Sequence, residues 1–341
     1  MKEHSSYAAG LLATVFLAGC FFSPAPQLER YREVKSLMGT IVQVDVCHPP
    51  QDTVQREAAY AAVWERLEDI SWRMNVFDER SDVAKINRSH RRPVRVGADT
   101  VYVISRARYF SQLTQGVFDI TVWPLIDLWK QAAADGRLPA QDTIVRTRQA
   151  VGVDKIIIRD DGLVETTDPR TQVDLGGIAK GYAIDEAARL LREHGYTQFF
   201  IDAGGDNYVG GRNCQGRLWR IGIRDPLDRS RIIDVVELQD AAVATSGDYA
   251  QFFEINGKHW SHIINPITGY PQERIVSASV IAPDATSADA LATASTILDP
   301  QQSQALVDSL GEQYGSFVVR LEGESPRHYR SRYYRQRETG R

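Results

Sequence analysis

The apolar and polar positions of this chain change period several times, and each change marks an element. Residues 40–46 alternate Val42, Val44 and Val46 with polar neighbours; with residues 32–37 they read as two strands joined at Met38-Gly39. Val63, Leu67, Ile70 and Met74 then recur at helical spacing, which predicts a helix starting near Asp52. A second helix runs from about Asp99, with Val101, Ile104 and Phe110 as core positions, to a stop at Gly116. Strand signals follow: residues 155–159 and 163–166 flank Asp160-Asp161-Gly162, and residues 251–255 and 258–264 flank Asn256-Gly257, a strong hairpin turn. Helical spacing returns at 184–193, stopped by Gly195, at 288–298, and at 301–310, stopped by Gly311. Strands and helices mix without a regular βαβ rhythm, so the expected fold is α+β: one large domain of mainly antiparallel sheets with packed helices.

Composition agrees with a globular protein: of 341 residues, 43% are hydrophobic and 25% charged. A net charge of −4 supplies no basic field over the body of the protein, which argues against nucleic acid as a partner. The start of the chain differs. Lys2 precedes a twelve-residue, mostly apolar run from Ala8 to Gly19, too short for a comfortable membrane span and suited to a signal peptide. Leu17-Ala18-Gly19-Cys20 resembles the lipobox of bacterial lipoproteins, which makes Cys20 a lipidated N-terminus followed by a Pro-containing tether. That address implies the bacterial periplasm and a lipid anchor in a membrane. Phe21 after the cysteine, where aspartate would signal inner-membrane retention, favours the outer membrane. The expected division is signal peptide 1–19, lipidated tether 20–31, main domain 32–322 and basic tail 323–341. The six arginines and three tyrosines of residues 327–341 predict a solvated or frayed end. Cys47 and Cys214 are the remaining cysteines; they are able to pair in an oxidising compartment, but spacing alone does not establish it, and neither sits in a metal-ligand motif.

Three clusters carry chemistry. Asp174-Leu175-Gly176-Gly177-Ile178-Ala179-Lys180-Gly181 ends an apolar strand, turns on two glycines and opens a helix with a lysine in its first turns. Glycine admits close backbone approach, a helix N-terminus offers unpaired N–H groups, and lysine adds charge, so the stretch suits a phosphate ester. It matches neither the P-loop nor the dinucleotide-binding glycine spacing. Asp289 and Thr293 lie four apart on a predicted helix and share one face, a carboxylate and hydroxyl suited to a hard cation such as magnesium. Asp248 and His262 flank the predicted hairpin, which brings them to one neighbourhood as a carboxylate–imidazole pair able to accept a proton.

Together these clusters resemble the ApbE family of bacterial FAD:protein FMN transferases. The likeness spans about residues 35–320 and rests on seven ordered motifs. They are Met38-Gly39-Thr40; Met74-Asn75-Val76-Phe77 leading to Ile86-Asn87; Phe118-Asp119-Ile120-Thr121-Val122 with Pro124-Leu125 and Leu128-Trp129; the stretch 174–185; 245–249; 262–269; and 288–293. The resemblance implies an ApbE-like fold and FAD lying across the Asp174 turn, held also near Met38, Phe77, Val117, Phe118, Asp119, Lys180 and Ile264. It implies magnesium bound by the Gly177 carbonyl, Asp289 and Thr293. The implied reaction moves FMN from FAD to a threonine hydroxyl of an acceptor protein and releases AMP, with Lys180 offsetting charge and His262, assisted by Asp248, taking the proton. The implied acceptors are membrane-associated flavoproteins such as subunits of sodium-translocating NADH:quinone oxidoreductase and Rnf complexes. A metal-dependent FAD pyrophosphatase giving FMN and AMP, and a non-catalytic FAD-binding lipoprotein, use the same residues. Three positions depart from the family pattern. Phe77 replaces a frequent tyrosine and keeps a stacking face without the hydroxyl; Trp123 replaces a common glycine; and Gly204-Gly205-Asp206 replaces Gly-Gly-Glu, a change expected to leave the phosphate and metal residues unaffected.

Overall fold

A computed structural model describes residues 28–49, 53–159, 161–247 and 252–339. Strands β1 (Glu29–Leu37) and β2 (Thr40–His48) open the fold, turning at Met38 and Gly39, both at positive φ. Helix α1 (Thr53–Arg73), helix α2 (Asp82–Asn87), strand β3 (Val94–Arg95) and helix α3 (Ala98–Leu113) follow. Helices α4 (Trp123–Ala134) and α5 (Gln141–Arg148) lead to β4 (Ile156–Ile158) and β5 (Leu163–Thr166), and then to α6 (Ala179–Glu193). Five strands come next: β6 (Phe199–Ala203), β7 (Asp206–Gly210), β8 (Trp219–Arg224), β9 (Ile232–Leu238) and β10 (Ala241–Gly247). The hairpin β11 (Phe252–Ile255) and β12 (Lys258–Ser261) precedes β13 (Ile275–Ala282). The chain finishes with α7 (Ala285–Ser295), α8 (Pro300–Ser309), β14 (Gly315–Glu322), β15 (Ser325–Arg330) and α9 (Arg332–Arg337).

The main sheet has eight strands in the order β1-β2-β6-β7-β10-β13-β14-β15, each neighbour antiparallel. Strand alternation divides its side chains between two cores. Ala242, Ala244, Val280 and Ala282 face the layer of α1, α6 and α7, whereas Ala241, Val243 and Ile281 face the β8–β9 ribbon and α9. Cover on both faces explains why all eight residues of β13 are buried and why its sequence is almost continuously apolar. A smaller core of Leu125, Trp129, Ile144, Ile255 and Ile264 fastens the β11–β12 hairpin to α4 and α5. Cys47 of β2 and Cys214 are joined by a disulfide across 167 residues. No helix among the described residues is long and apolar enough to cross a membrane.

The α+β architecture with antiparallel sheets matches the sequence expectation, and Asn256-Gly257 turns the hairpin with both residues at positive φ. Several expectations need correction. The C-terminal stretch is not frayed: β15 completes the sheet and α9 inserts Tyr334, fully buried, against Phe317. The main domain therefore continues past residue 322, and it begins at β1 before residue 32. Helix α6 opens at Ala179 with Lys180 in its first turn, as the Asp174–Gly181 stretch predicted, and so begins five residues before the apolar spacing of 184–193. Strand β12 stops at Ser261, and Ile264 instead bridges Pro271. Asp52, Asp160, Gln251 and the whole N-terminal segment through Gln27, including Cys20, lie outside the described residues.

Candidate active site

The glycine turn is positioned by its own backbone. Gln172 bridges Val122 in parallel, and the Asp174 amide donates to the Ile120 carbonyl at 2.7 Å, which lays the turn beside residues 118–122. Neither Gly176 nor Gly177 has positive φ, so backbone freedom is not what demands glycine here. At Gly177 the reason is space: a Cβ would stand 3.1 Å from Thr293 Oγ1 and 3.3 Å from Phe118 Cε2. At Gly181 a Cβ would collide with the Ala285 carbonyl and come within 2.8 Å of Thr286 Cα, so this glycine sets how closely α6 meets α7.

Most amides of the turn are engaged within the protein. The Gly176 N–H donates to Asp174 Oδ1 (3.0 Å), Ile178 and Ala179 donate to the Leu175 carbonyl, and Gly181 donates to Asp289 Oδ2 (3.0 Å). The expected nest of open helix-terminal donors is therefore largely internal, and the positive charge at the turn comes mainly from Lys180. That lysine is not a mobile surface group. Its ammonium bonds Asp206 and sits 3.3 Å from Asp289 Oδ1. Burial works against the ammonium, but the Asp206 and Asp289 carboxylates outweigh it and hold Lys180 well above the usual lysine range. Burial conversely pushes the Asp289 carboxyl up to about 6, against the pull of Lys180.

Helix α7 brings Asp289 and Thr293 to this point, and its N-terminus is held by two aspartates. Asp284 accepts from the Ser287 amide (2.7 Å), and Asp185 of α6 accepts from the amides of Ala285 (2.7 Å) and Thr286 (2.9 Å). Thr293 Oγ1 lies 3.3 Å from Ser246 Oγ at the end of β10. Thr293 beside Gly177, with Asp289 and Asp206 joined through Lys180, thus present hard oxygen donors, a set that fits a magnesium-type cation. Among the described residues no group of three or more His, Cys, Asp or Glu side chains is arranged as a metal site, so carbonyl and hydroxyl oxygens would have to contribute.

The remaining expected residues are distributed around this centre. Phe77 is 76% exposed and meets Trp123 edge to face. Phe118 packs on Gly177, while Val117 is buried. Asp119 is also buried, and its carboxylate accepts from the Thr121 amide and hydroxyl and the Val153 amide; burial raises its carboxyl. Its side chain holds the local loop, which leaves the backbone of 117–119 as the part able to meet a ligand. Asp174 is half-buried, and Met38 lies in the β1–β2 turn, next to the Gly204 turn that precedes Asp206. The Ile264 side chain is committed to the core with Leu125 and Trp129. His262 follows β12 directly and is half-buried. Its neighbour Ser261 accepts from Gln272, which also bonds the Ile275 carbonyl, and this ties the segment to the start of β13, where Ser277 pairs with Gly247. Asp248, the expected partner of His262, lies outside the described residues.

The ApbE family model matches residues 38–317, a span that runs from the Met38 turn into the start of β14. The chain belongs to the ApbE family. An FAD:protein FMN transferase of Vibrio cholerae is 30% identical over 313 residues, covering 89% of this chain and 91% of the relative. One of Escherichia coli K12 is 28% identical over 337 residues, 95% of each chain. The solved flavin transferase ApbE from Vibrio cholerae superposes with a TM-score of 0.79 at 27% identity, covering 91% of this chain and 99% of that one. The ApbE protein of Thermotoga maritima gives 0.81 at 31% identity, covering 92% and 100%.

Within this ApbE chain, reading the sequence missed Asp206 as a site residue. Its position in Gly204-Gly205-Asp206 was visible, but the contact to Lys180 spans 26 residues and joins α6 to β7. The substitution at that motif therefore touches Lys180 directly, one of the residues it was expected to leave unaffected. Asp185 and Ser246 were missed for the same reason.

Proposed function

We propose that this ApbE-family enzyme transfers FMN from FAD to a threonine hydroxyl of an acceptor protein and releases AMP. The observation that carries the reading is the gathering of Asp206 and Asp289 around Lys180, with Thr293 against the Gly177 turn, a charged, largely buried cluster in a chain whose relatives bear that name. The threonine oxygen forms a bond to the FMN phosphorus, the pyrophosphate bridge breaks, and the bridging oxygen leaves with AMP. Lys180 places positive charge at the turn as negative charge grows on the leaving phosphate. His262 accepts the hydroxyl proton, oriented by Asp248. Magnesium, held by the Gly177 carbonyl, Asp289 and Thr293, would neutralise pyrophosphate charge.

The proposal extends to place and partner. Cys20 is the lipid attachment site, anchoring the enzyme in the periplasm, on the outer rather than the inner membrane; the Cys47–Cys214 disulfide suits that oxidising compartment. Membrane-associated flavoprotein subunits, such as those of sodium-translocating NADH:quinone oxidoreductase and Rnf complexes, are the acceptors. Incubating the protein with FAD, magnesium and such a subunit should add one FMN, less water, to the acceptor's intact mass, with AMP formed in equal amount. AMP and free FMN without acceptor labelling would make the enzyme a pyrophosphatase, and no AMP at all would make it a binding protein.

A further inference from the structure

The β8–β9 ribbon and α9 cover the face of the main sheet opposite the helical layer, and phosphoryl transfer gives them no task. Their charge is uneven. The segment between β7 and β10 (residues 211–240) and the segment from β15 onward (residues 325–339) hold eleven arginines against six Asp and Glu, a net +5 in a chain whose total is −4. Alternation along β8 turns Trp219, Ile221 and Ile223 into the core and Arg220 and Arg224 outward, where both are exposed. Among the acidic groups, Asp234 is buried beneath Arg330, and Glu338 pairs with that same arginine. Arg231, Arg332 and Arg335 are exposed, and the last two line, with Arg330, a hollow of about 350 Å³ between α8 and α9. At the turn of the ribbon Leu227 and Ile232 are 53% and 51% exposed amid these arginines. The chain also enters the fold on this side: Leu28 packs into the core of Trp219, Val236 and Tyr334, and the Arg30 guanidinium lies 5.7 Å from the Trp219 ring centroid.

We propose that this layer is a docking surface for an anionic phospholipid bilayer, held by its arginines and by shallow burial of Leu227 and Ile232. This rests on the reading of Cys20 as the lipid attachment site. Leu28 is the eighth residue after Cys20, a reach of at most about 28 Å, whereas a fold of this size is roughly 50 Å across. The anchor therefore holds the side where the chain emerges against the bilayer and keeps the far side away from it. Arginine suits the contact because its planar guanidinium binds phosphate oxygens in pairs, and the two apolar side chains suit the boundary between headgroups and acyl chains. The rest of the sequence carries −9, so the lipid charge that attracts the ribbon repels the remainder and fixes the orientation. The glycine turn belongs to the other layer, where Ile178 and Ala179 join the helical core, so docking leaves the active site open to an acceptor.

The test uses the acylated full-length protein carrying Leu227→Cys, labelled at that position with an environment-sensitive fluorophore; Cys20 is blocked by its lipid, and Cys47 and Cys214 by each other. In vesicles containing phosphatidylglycerol the emission should shift to the blue. In pure phosphatidylcholine, with the same anchor, it should not, and high salt should reverse the shift. A label at Tyr102→Cys, on α3 in the helical layer, should report water throughout. Arg220→Gln, Arg231→Gln and Arg332→Gln combined should lower the ratio of docked to undocked protein roughly fivefold for each charge removed. No shift at residue 227 in anionic vesicles, or an equal shift in neutral ones, would overturn the proposal while leaving the anchor and transferase readings intact. A protein without acyl chains in its intact mass would overturn the anchor reading instead, and the docking surface would then stand or fall on the same shift with added vesicles.

Discussion

Gly181 offers the sharpest test of how this site is built. Replacing it with alanine would place a methyl carbon against the Ala285 carbonyl oxygen, 2.6 Å from the Ala285 carbonyl carbon and 2.8 Å from Thr286 Cα. These are backbone atoms, so no side-chain rotation relieves the clash. Bringing the carbons to an ordinary separation requires α6 and α7 to part by roughly 1 Å. Overpacking of this kind costs about 1–3 kcal/mol, and rigid neighbours put it at the upper end; the better helix propensity of alanine returns about 1 kcal/mol. A net loss of about 2 kcal/mol should lower the thermal midpoint by roughly 3–6 °C. The same displacement stretches the Gly181 N–H to Asp289 bond and moves Asp289 away from Lys180, so cation and FAD binding should weaken as well. Gly177→Ala supplies the contrast. Its methyl would meet only side-chain atoms, at 3.1 to 3.4 Å, so stability should change by less than about 1 kcal/mol while the cation site beside Thr293 Oγ1 is narrowed. Thermal unfolding by circular dichroism and calorimetric magnesium titration, run on both variants, separate the two effects. A Gly181→Ala protein as stable as wild type would refute close backbone packing of α6 on α7 as the reason for glycine at this position.

His262→Ala should leave FAD binding in place and slow flavin transfer by roughly 10²–10⁴-fold, measured as flavin fluorescence on the acceptor band; a wild-type rate would remove its role as base. Asp206→Asn deprives Lys180 of one carboxylate and commits it to Asp289, so half-saturation by magnesium should rise on the order of tenfold, the worth of one charge-assisted hydrogen bond. An unchanged magnesium demand would reduce Asp206 to a cap on the Thr245 amide. Cys214→Ser should cost about 2–4 kcal/mol of stability, seen as a lower melting point that reductant does not depress further, because the disulfide closes a loop of 167 residues. Identical melting of the wild type with and without reductant would show that the two thiols are not joined in solution.

What the chain encodes locally was legible without coordinates. The buried stripe of α1 at Val63, Leu67 and Ile70 follows from helical period, and the β11–β12 turn follows from the left-handed preference of Asn256-Gly257. Asp289 and Thr293 share a face because four residues make about one helical turn, wherever that helix lies. The tertiary structure decided what these pieces meet. Lys180 reads only as a charge at the glycine turn until α7 places Asp289 and β7 places Asp206 around it, and contacts between residues 109 and 26 apart depend on strand order, not on local propensity. Asp119 reads as a ligand-facing carboxylate until Thr121 and the Val153 amide claim it. The arginine-rich end reads as solvated because arginine dominates its composition, yet Tyr334 finds a core between the sheet and the β8–β9 ribbon. Backbone preferences act over a few residues, whereas burial and charge pairing are settled only when distant segments exclude water together, and in this protein that happens where α6, α7 and the ends of β7 and β10 converge.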